Sequence, residues 1–400
     1  MATLFVGRPE LICSEQKMVL RAPIACECGK LPDHLWFATG PEYGHYLVEE
    51  RGDAFLVAVL IHALREKHDI RLLAPISERL FYSVTEYLIP ALHRALPTLG
   101  QISIDCELDS TVWPNARAVG AGNSCGVDSM FTVAKHTSPT CPAGFRLTHL
   151  TFHDCGSHRR HLFSVDPGLA DDRRELTSQF AREIGLPQVS VDTNLNTLPE
   201  AINLPFEQMH TYLNTACALA LQKLFKTYYY SSSFPADVFR FTLADSAYYD
   251  TFTLPLLATE QLSFSAAGKA YSRAEKMQQL MEYEPSHSFL NVCTTALENC
   301  SSCEKCLRTL VAIELLGGLD VYEEVFDLET YAKHRSRHVV DVLKRDGHYY
   351  QEIRELMQET GSSLRVPMME YLLYSLRRKV ADVPVVQRLY YALRGWEITP

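Results

Sequence analysis

The chain has 400 residues, of which 47% are hydrophobic and 22% are charged, so it is long enough for two or three domains with hydrophobic cores. Its formal net charge of −10 argues against binding of nucleic acid through a general positive field. It leaves only local basic patches, such as Arg159 with Arg160, or residues 377–379. No secretory signal opens the sequence, and no stretch approaches the roughly 18 apolar residues that span a bilayer. We therefore expect a cytoplasmic protein that has no membrane partner.

Residues 1–110 are predicted to form a small N-terminal α/β domain. Segments 34–48 and 70–74 have strand character, and segments 53–67 and 77–96 have the apolar periodicity of helices. The domain carries no chemical motif. We expect it to select the substrate or to form a homodimer.

Residues 111–318 alternate apolar strand segments with helical patterns, which predicts a Rossmann-like parallel sheet covered by helices on both faces. The predicted strands are 116–122, 146–153, 188–192, 227–232 and 261–265. Predicted helices include 129–135, 171–184 and 206–225. Ligands of such sheets bind outside the carboxyl ends of the strands. Polar clusters at 123–129, 153–158 and 192–196 follow three of these ends.

Residues 319–400 are predicted to be a helical C-terminal region. Tyr and Leu recur at helical spacing in 368–380 and 388–396. Such a stripe is typical of a hydrophobic core or of a dimer surface.

The segment 122–129 is a candidate phosphate-binding loop between a strand and a helix. Its small residues allow the backbone to approach an anion, and the helix N-terminus supplies N–H donors. Ser124 and Ser129 can donate hydroxyl hydrogen bonds, and Asp128 can bind a magnesium ion that bridges phosphates. No Gly-Lys-Ser/Thr follows, so it is not a Walker loop.

The run Ser124-Cys125-Gly126-Val127-Asp128-Ser129 resembles the Ser-Gly-Gly-x-Asp-Ser signature of the PP-loop ATP pyrophosphatase superfamily. The resemblance implies the Rossmann-like HUP fold of that superfamily. It also implies that ATP is cleaved between its α and β phosphates. The loop would then hold pyrophosphate while AMP passes to an oxygen atom of the substrate.

Cys125 replaces the first glycine of this signature, and two hypotheses account for it. In the first, the loop simply tolerates cysteine because its side chain is small. In the second, Cys125 is a functional thiol beside the nucleotide, and the helix N-terminus lowers the pKa of that thiol. His153, Asp154 and Cys155 follow the second strand. For each of these three residues, an ordinary place in a connecting loop is favoured over a functional role. The functional hypothesis for Cys155 is that it relays a persulfide together with Cys125.

Arg273 and Lys276 lie three residues apart, about one helical turn, and can face a phosphate together; a solvated helix start is the alternative. Asp245, Ser246 and Asp250 fall in a loop that can line a substrate pocket.

The spacing Cys293-x6-Cys300-x2-Cys303-x2-Cys306 predicts a metal site. Four thiolates can enclose one zinc ion tetrahedrally in a closed, structural site, and an iron–sulfur cluster accepts the same ligands. Twelve cysteines in a cytoplasmic chain also favour metal or thiol chemistry over disulfides.

This pattern resembles the C-terminal zinc motif of the 7-cyano-7-deazaguanine synthases, which are themselves PP-loop enzymes. In that family a Leu-Arg pair follows the last cysteine, and here Leu307 and Arg308 follow Cys306. The first spacer is two residues shorter than in the family. The resemblance covers residues 116–318 only, so the substrate need not be the same.

Three functions follow from these motifs. In the first, a carbonyl of a nucleobase-like small molecule is adenylated, and Cys125 delivers sulfur from a persulfide that a cysteine desulfurase-type donor supplies. In the second, nitrogen attacks the adenylate and the enzyme is a C–N ligase, as in the cyanodeazaguanine synthases. In the third, the chain is a degenerate nucleotide-binding scaffold, against which the intact Asp128 and Ser129 argue. Cys125 favours the sulfurtransferase.

Overall fold

The computed structural model describes residues 2–26, 31–158, 160–161, 164–165 and 167–381. At 160–161, 164–165, 167 and 377–381 only the backbone is described. Both predicted basic patches therefore lie outside the described side chains, as does the predicted helical stripe at 388–396.

The strands of the described residues are numbered in chain order. Strands β1 to β8 are Thr3–Val6, Glu10–Cys13, Met18–Cys26, His34–Thr39, Asp69–Leu72, Ile76–Ser77, Ile104–Asp105 and Leu108–Asp109. Strands β9 to β15 are Ala118–Gly122, His149–Asp154, Arg160–His161, Ser164–Val165, Gln188–Thr193, Phe225–Ser231 and Ser263–Ala267.

The helices are numbered in the same way. Helices α1 to α7 are Asp53–Glu66, Glu78–Ser83, Ile89–Ala95, Val127–Thr137, Pro167–Glu183, Thr197–Ala201 and His210–Ala220. Helices α8 to α14 are Asp250–Leu256, Arg273–Leu280, Pro285–Phe289, Glu304–Leu315, Leu328–Lys344, His348–Thr360 and Met368–Ala381. A π-helical turn, Val84–Leu88, joins α2 to α3, so the helix predicted at 77–96 is continuous.

The central sheet is mostly parallel, which confirms the predicted α/β class. Strands β13, β10, β9, β14 and β15 lie side by side in that order and are all parallel. Numbered by their sequence along the chain, their spatial order is 3-2-1-4-5, which is consistent with a Rossmann-like fold. The five predicted strands are these five, with ends shifted by at most three residues.

Six strands of the first 110 residues, β1 to β5 and β7, extend this same sheet, whereas β6 and β8 pair with each other in a separate two-stranded sheet. β4 pairs antiparallel with β13, and β3 and β1 follow antiparallel beyond it. β5 and β7 then add in parallel. The strand predicted at 34–48 ends at Thr39, because Pro41 begins a 3-10 helix that runs to Tyr46. Strands β1 to β3 were not predicted.

Helix α1 shows why the core forms beside this sheet. Twelve of its fourteen residues are buried, and all of these except Asp53 and His62 are hydrophobic, as expected of a helix inside a core. The helix ends where Lys67 takes the left-handed conformation, with φ 58°.

The chain separates into two compact units, Met1–Asn291 and Val292–Pro400. The sheet and α1 to α10 belong to the first unit, and α11 to α14 belong to the second. The domain boundaries near residues 110 and 318 stay a prediction. Among the described residues, no helix combines the length and the apolar character needed to cross a bilayer.

Candidate functional site

The loop 123–126 lies where the winding of the sheet reverses. It joins the end of β9 at Gly122 to the start of α4 at Val127. From β9, the chain adds β10 and β13 on one side and β14 and β15 on the other. Sheets of this kind bind ligands outside the carboxyl ends of the strands at such a point.

The buried side chain of Asn123 anchors the loop through hydrogen bonds. Its side-chain amide donates to the Thr177 carbonyl over 3.0 Å and to Gln188 Oε1 over 3.1 Å. Its Oδ1 accepts the backbone N–H of Cys125. From the other side, the N–H of Asn291 donates to the Cys125 carbonyl over 2.8 Å. These contacts fix the backbone of the loop before any ligand binds.

Cys125 has φ 55°, in the left-handed region that favours glycine. A cysteine here therefore occupies a glycine-type conformation, in the position where the PP-loop signature has glycine. A backbone of this kind usually costs a non-glycine residue on the order of 1 kcal/mol.

The N-terminus of α4 is not capped by a side chain. Its N-cap residue is Gly126, so the first-turn N–H groups have neither an intrahelical nor a capping side-chain acceptor. Ser124 is exposed, and its Oγ lies 3.1 Å from Ser129 Oγ. Two hydroxyls and the helix N-terminus thus converge on one place, an arrangement suited to an anion.

Helix α9 brings two cations to this loop. It begins at Arg273 because Ser272 and Glu275 form a reciprocal capping box. Arg273 Nη2 lies 2.5 Å from Asp128 Oδ2, and Lys276 Nζ lies 2.9 Å from Asp128 Oδ1. The two side chains predicted to act together therefore meet at Asp128.

The charge of this triad is positive. Burial disfavours the charged form of Asp128, but Arg273 and Lys276 outweigh it and hold the pKa of this carboxyl well below its usual range. One carboxylate facing two cations leaves a net charge of +1. Lys276 is almost fully buried, at 1% exposure, so its charge is poorly screened by solvent.

Further polar residues extend the cluster from Lys276. Lys276 Nζ also donates to the Ser232 carbonyl over 2.5 Å, and Ser232 Oγ donates to Asp250 Oδ2 over 3.0 Å. Lys269 Nζ lies 2.7 Å from the buried Asp250 Oδ1. Ser232 and Lys269 were not identified from the sequence. The available signal was their position, because Ser232 is the last residue of one predicted strand and Lys269 lies four residues beyond the end of another.

Cys125 and Cys155 are both buried, with no exposed surface. Cys125 Sγ lies 3.7 Å from Asn123 Oδ1. Burial raises the pKa of the Cys125 thiol far above its ordinary value, so the expectation of a lowered pKa is wrong. Desolvation of the thiolate outweighs the helix N-terminus. Burial raises the pKa of the Cys217 thiol of α7 well above its ordinary value, and the neighbouring Cys155 raises it further.

His153 and Asp154, at the end of β10, are buried as well. The His153 ring stacks on Tyr228 at a centroid distance of 5.8 Å. Burial lowers the pKa of His153 to about 4, so the imidazole is neutral near pH 7. A neutral histidine packed on an aromatic ring fits the structural interpretation of this segment.

The residues predicted in the loop 245–250 have separate partners. Asp245 Oδ1 lies 2.8 Å from Nε2 of His210, and Asp250 belongs to the Lys269 pair described above. Ser246 Oγ lies 2.9 Å from Thr211 Oγ1. His210 was not singled out from the sequence, because it opens α7, far from Asp245 along the chain.

The second unit contains the four-cysteine cluster. Three of its members precede α11 and the fourth lies in the first turn of that helix, and their Sγ atoms all lie within 4.8 Å of one another: Cys293, Cys300, Cys303 and Cys306. A tetrahedral site with Zn–S bonds of about 2.3 Å separates its sulfurs by about 3.8 Å. The Cys300 and Cys306 sulfurs are 4.0 Å apart. The four cysteines can therefore hold a metal ion such as zinc.

Backbone donors surround these sulfurs, as the surroundings of a metal site require. The N–H of Cys303 donates to Cys300 Sγ over 3.3 Å, and the N–H of Cys306 donates to Cys303 Sγ over 3.5 Å. Thr295 Oγ1 donates to Cys300 Sγ over 3.4 Å. Such donors stabilise thiolates, which are the metal-binding form of cysteine.

The Leu-Arg pair of the predicted motif packs inside the second unit. Leu307 is buried, and the Arg308 guanidinium lies 3.7 Å from the centroid of the Tyr349 ring.

No family model, curated protein or solved structure matches the chain.

Proposed function

We propose that this protein is an ATP-dependent adenylating enzyme of the PP-loop type. The observation that carries the proposal is the meeting of Asp128, Arg273 and Lys276 at an uncapped helix N-terminus. The loop joins the first strand of a 3-2-1-4-5 sheet to the helix that follows it. Its sequence resembles the PP-loop signature, and its geometry suits a phosphate group.

In the proposed reaction, an oxygen atom of a small, nucleobase-like substrate attacks the α phosphorus of ATP. The α–β bridging bond breaks, and pyrophosphate leaves with its charge facing Arg273, Lys276 and the loop N–H groups. Ser124 and Ser129 donate hydrogen bonds to the same group. Magnesium, bound through Asp128, would neutralise phosphate charge.

For the second step we propose attack by nitrogen on the adenylated carboxyl carbon, which displaces AMP and gives an amide. A nitrile would form if a second ATP adenylates the amide oxygen, which then leaves with AMP. Both candidate sulfur carriers, Cys125 and Cys155, are fully buried, and Cys125 is held in its neutral thiol form. A persulfide carrier needs an accessible thiolate. Sulfur transfer from a cysteine desulfurase-type donor stays the second candidate, because Cys125 adjoins the proposed nucleotide site.

We propose a structural role for the metal of the four-cysteine cluster. All four coordination positions are supplied by the chain, which is typical of a closed structural zinc site. The metal would fix the segment 293–306 onto the first turn of α11. It takes no part in the proposed adenylation.

Product analysis tests the proposed activity. Purified protein is incubated with ATP labelled at the α phosphate, magnesium and the small-molecule fraction of a cell lysate as the source of acceptor. We expect AMP and pyrophosphate, and we expect the rate to fall at least about 100-fold in Arg273→Gln. Lys333→Gln, an exposed lysine in the second unit, serves as the charge-loss control. Formation of ADP and phosphate would exclude the proposed function.

A further inference from the structure

Tyr230, His210 and Asp245 form a continuous hydrogen-bonded chain in the first unit. Tyr230 Oη lies 2.5 Å from His210 Nδ1, and Asp245 Oδ1 lies 2.8 Å from His210 Nε2. The three residues come from β14, from the first residue of α7 and from the loop that follows β14. Neither the metal site nor the phosphate-binding residues use any of them.

The direction of the hydrogen bonds follows from the chemistry of the groups. A carboxylate can only accept, so His210 Nε2 carries a proton and donates it to Asp245. In the neutral imidazole Nδ1 is then an acceptor, and the Tyr230 hydroxyl donates to it. The Asp245 carboxylate is itself oriented, because its Oδ1 also accepts the N–H of Ala247. This is the order of groups in a nucleophile–histidine–aspartate triad, with a phenol in the first place.

The phenol needs such a partner in order to react. Burial raises the pKa of Tyr230 well above its ordinary value, and the charges of Asp250 and Asp245 raise it further. Tyr230 therefore does not ionise by itself near pH 7. A base at hydrogen-bonding distance can take its proton as the phenol oxygen accepts another, so that no free phenolate forms.

The position of Tyr230 links this chain to the loop. In the pairing of β14 with β9, Tyr228 faces Gly120 and Tyr229 faces Ala121, which sets Tyr230 level with Gly122, the last residue before the loop. Ser232, two residues after Tyr230, accepts a hydrogen bond from Lys276, the lysine that holds Asp128. The phenol therefore belongs to the same strand end as the proposed phosphate site.

We propose that Tyr230, His210 and Asp245 form a proton relay that deprotonates the nucleophile in the second step of the reaction. The proposal rests on the adenylation proposed above. As the nitrogen lone pair of the nucleophile attacks the adenylated carbon, the N–H proton passes to Tyr230 Oη. The Tyr230 proton passes to His210 Nδ1, and the imidazolium is stabilised by Asp245. AMP leaves with the electron pair of the bond that breaks.

A sulfonyl fluoride reports on the relay without requiring ATP or an acceptor. In the full chain, Tyr230 Oη attacks the sulfur of a benzenesulfonyl fluoride, fluoride leaves, and the phenol proton passes to His210. Peptide mass spectrometry measures the labelling rate of each tyrosine. Tyr82, which is 55% exposed and is not part of the relay, serves as the internal standard.

We expect Tyr230 to be labelled at least about tenfold faster than Tyr82, although it is the less exposed of the two. His210→Gln and the milder Asp245→Asn should each lower the Tyr230 rate at least about tenfold and leave the Tyr82 rate unchanged. The relay is excluded if Tyr230 reacts no faster than Tyr82, or if its rate is unchanged in both variants.

The role of the relay in the second step is tested by Tyr230→Phe in the ATP assay with the lysate fraction. We expect the initial burst of pyrophosphate to stay within about twofold of the wild type and AMP release to fall about 100-fold. An equal fall in both would contradict the assignment to the second step. Tyr229→Phe, which removes a phenol that bonds the Phe145 carbonyl, is the matched control. If the wild type forms ADP, the proposed adenylation is rejected. The hydrogen-bonded relay itself is not rejected by that result, because the labelling experiment uses no ATP.

Discussion

At the residue scale, Asp128 has two alternative sets of partners, the two cations Arg273 and Lys276 and the proposed magnesium ion. Without a ligand it neutralises part of the charge of Arg273 and Lys276. An incoming pyrophosphate group would compete with it for the same two cations. The proposed magnesium ion would give Asp128 a new partner when the nucleotide binds, so its role depends on whether the metal is present.

This competition predicts opposite effects of Asp128→Asn under two conditions. Without magnesium, the variant should bind pyrophosphate more tightly, by about tenfold, because the two cations lose their competing carboxylate. With magnesium and ATP, AMP formation should fall at least about 100-fold. Calorimetry and product analysis measure the two effects, and Asp320→Asn, at an exposed position, is the control. Weaker binding of metal-free pyrophosphate would show that Asp128 does not compete for these cations.

The backbone of Cys125 predicts the result of replacing it. Cys125→Gly relieves the left-handed strain at φ 55° and restores the PP-loop signature, so AMP formation should stay within about threefold of the wild type. Cys125→Ser should behave alike if nitrogen is the nucleophile. If Cys125→Ser binds ATP yet forms no thiolated product while wild type does, sulfur transfer is reinstated. Cys155→Ser then distinguishes a two-thiol relay from a single carrier.

At the scale of elements, the parallel strands were predictable because their buried segments are apolar and helices separate them. Strands β1 to β3 were missed for physical reasons. β2 is four residues long and mostly exposed, and β3 contains Pro23, which in a sequence argues against a strand. Pro23 fits here because it is exposed and its carbonyl accepts the N–H of Gly7.

The candidate site was only partly predictable for a related reason. The residues of the loop are contiguous, so their spacing identifies them. The partners of the loop are set by packing instead, since Lys276 reaches Asp128 across 148 positions. Packing also brings His210 to Asp245 across 35 positions. The pKa of Cys125 depends on burial, which its neighbours along the sequence do not determine.

The four-cysteine cluster predicts that the second unit contains a metal ion and is less stable without it. Protein purified without chelator should contain about one zinc ion per chain. Cys306→Ser should lose the metal and lower the free energy of unfolding of the second unit by several kcal/mol, on the order of a structural site's contribution. Elemental analysis and thermal unfolding measure this, with the exposed Cys13→Ser as control. Finding neither zinc nor iron would exclude a metal site.

At the scale of the whole molecule, one sheet carries the proposed nucleotide loop and also strands β1 to β5 and β7 of the first 110 residues. The pairing of β4 with β13 makes the join. The N-terminal segment is therefore an extension of the sheet in the first unit. Its own contribution to substrate choice stays a prediction.

Positional isotope exchange detects cleavage of ATP between its α and β phosphates, because bound pyrophosphate can rotate before ATP forms again. ATP carrying ¹⁸O in the α–β bridge is incubated with the protein, magnesium and the lysate fraction, and the ATP that remains is analysed by ³¹P NMR. We expect the label to move from the bridge to the non-bridging β positions in the wild type, and we expect Arg273→Gln largely to abolish this movement. Consumption of ATP with the label still in the bridge, together with appearance of ADP, would contradict the proposed cleavage.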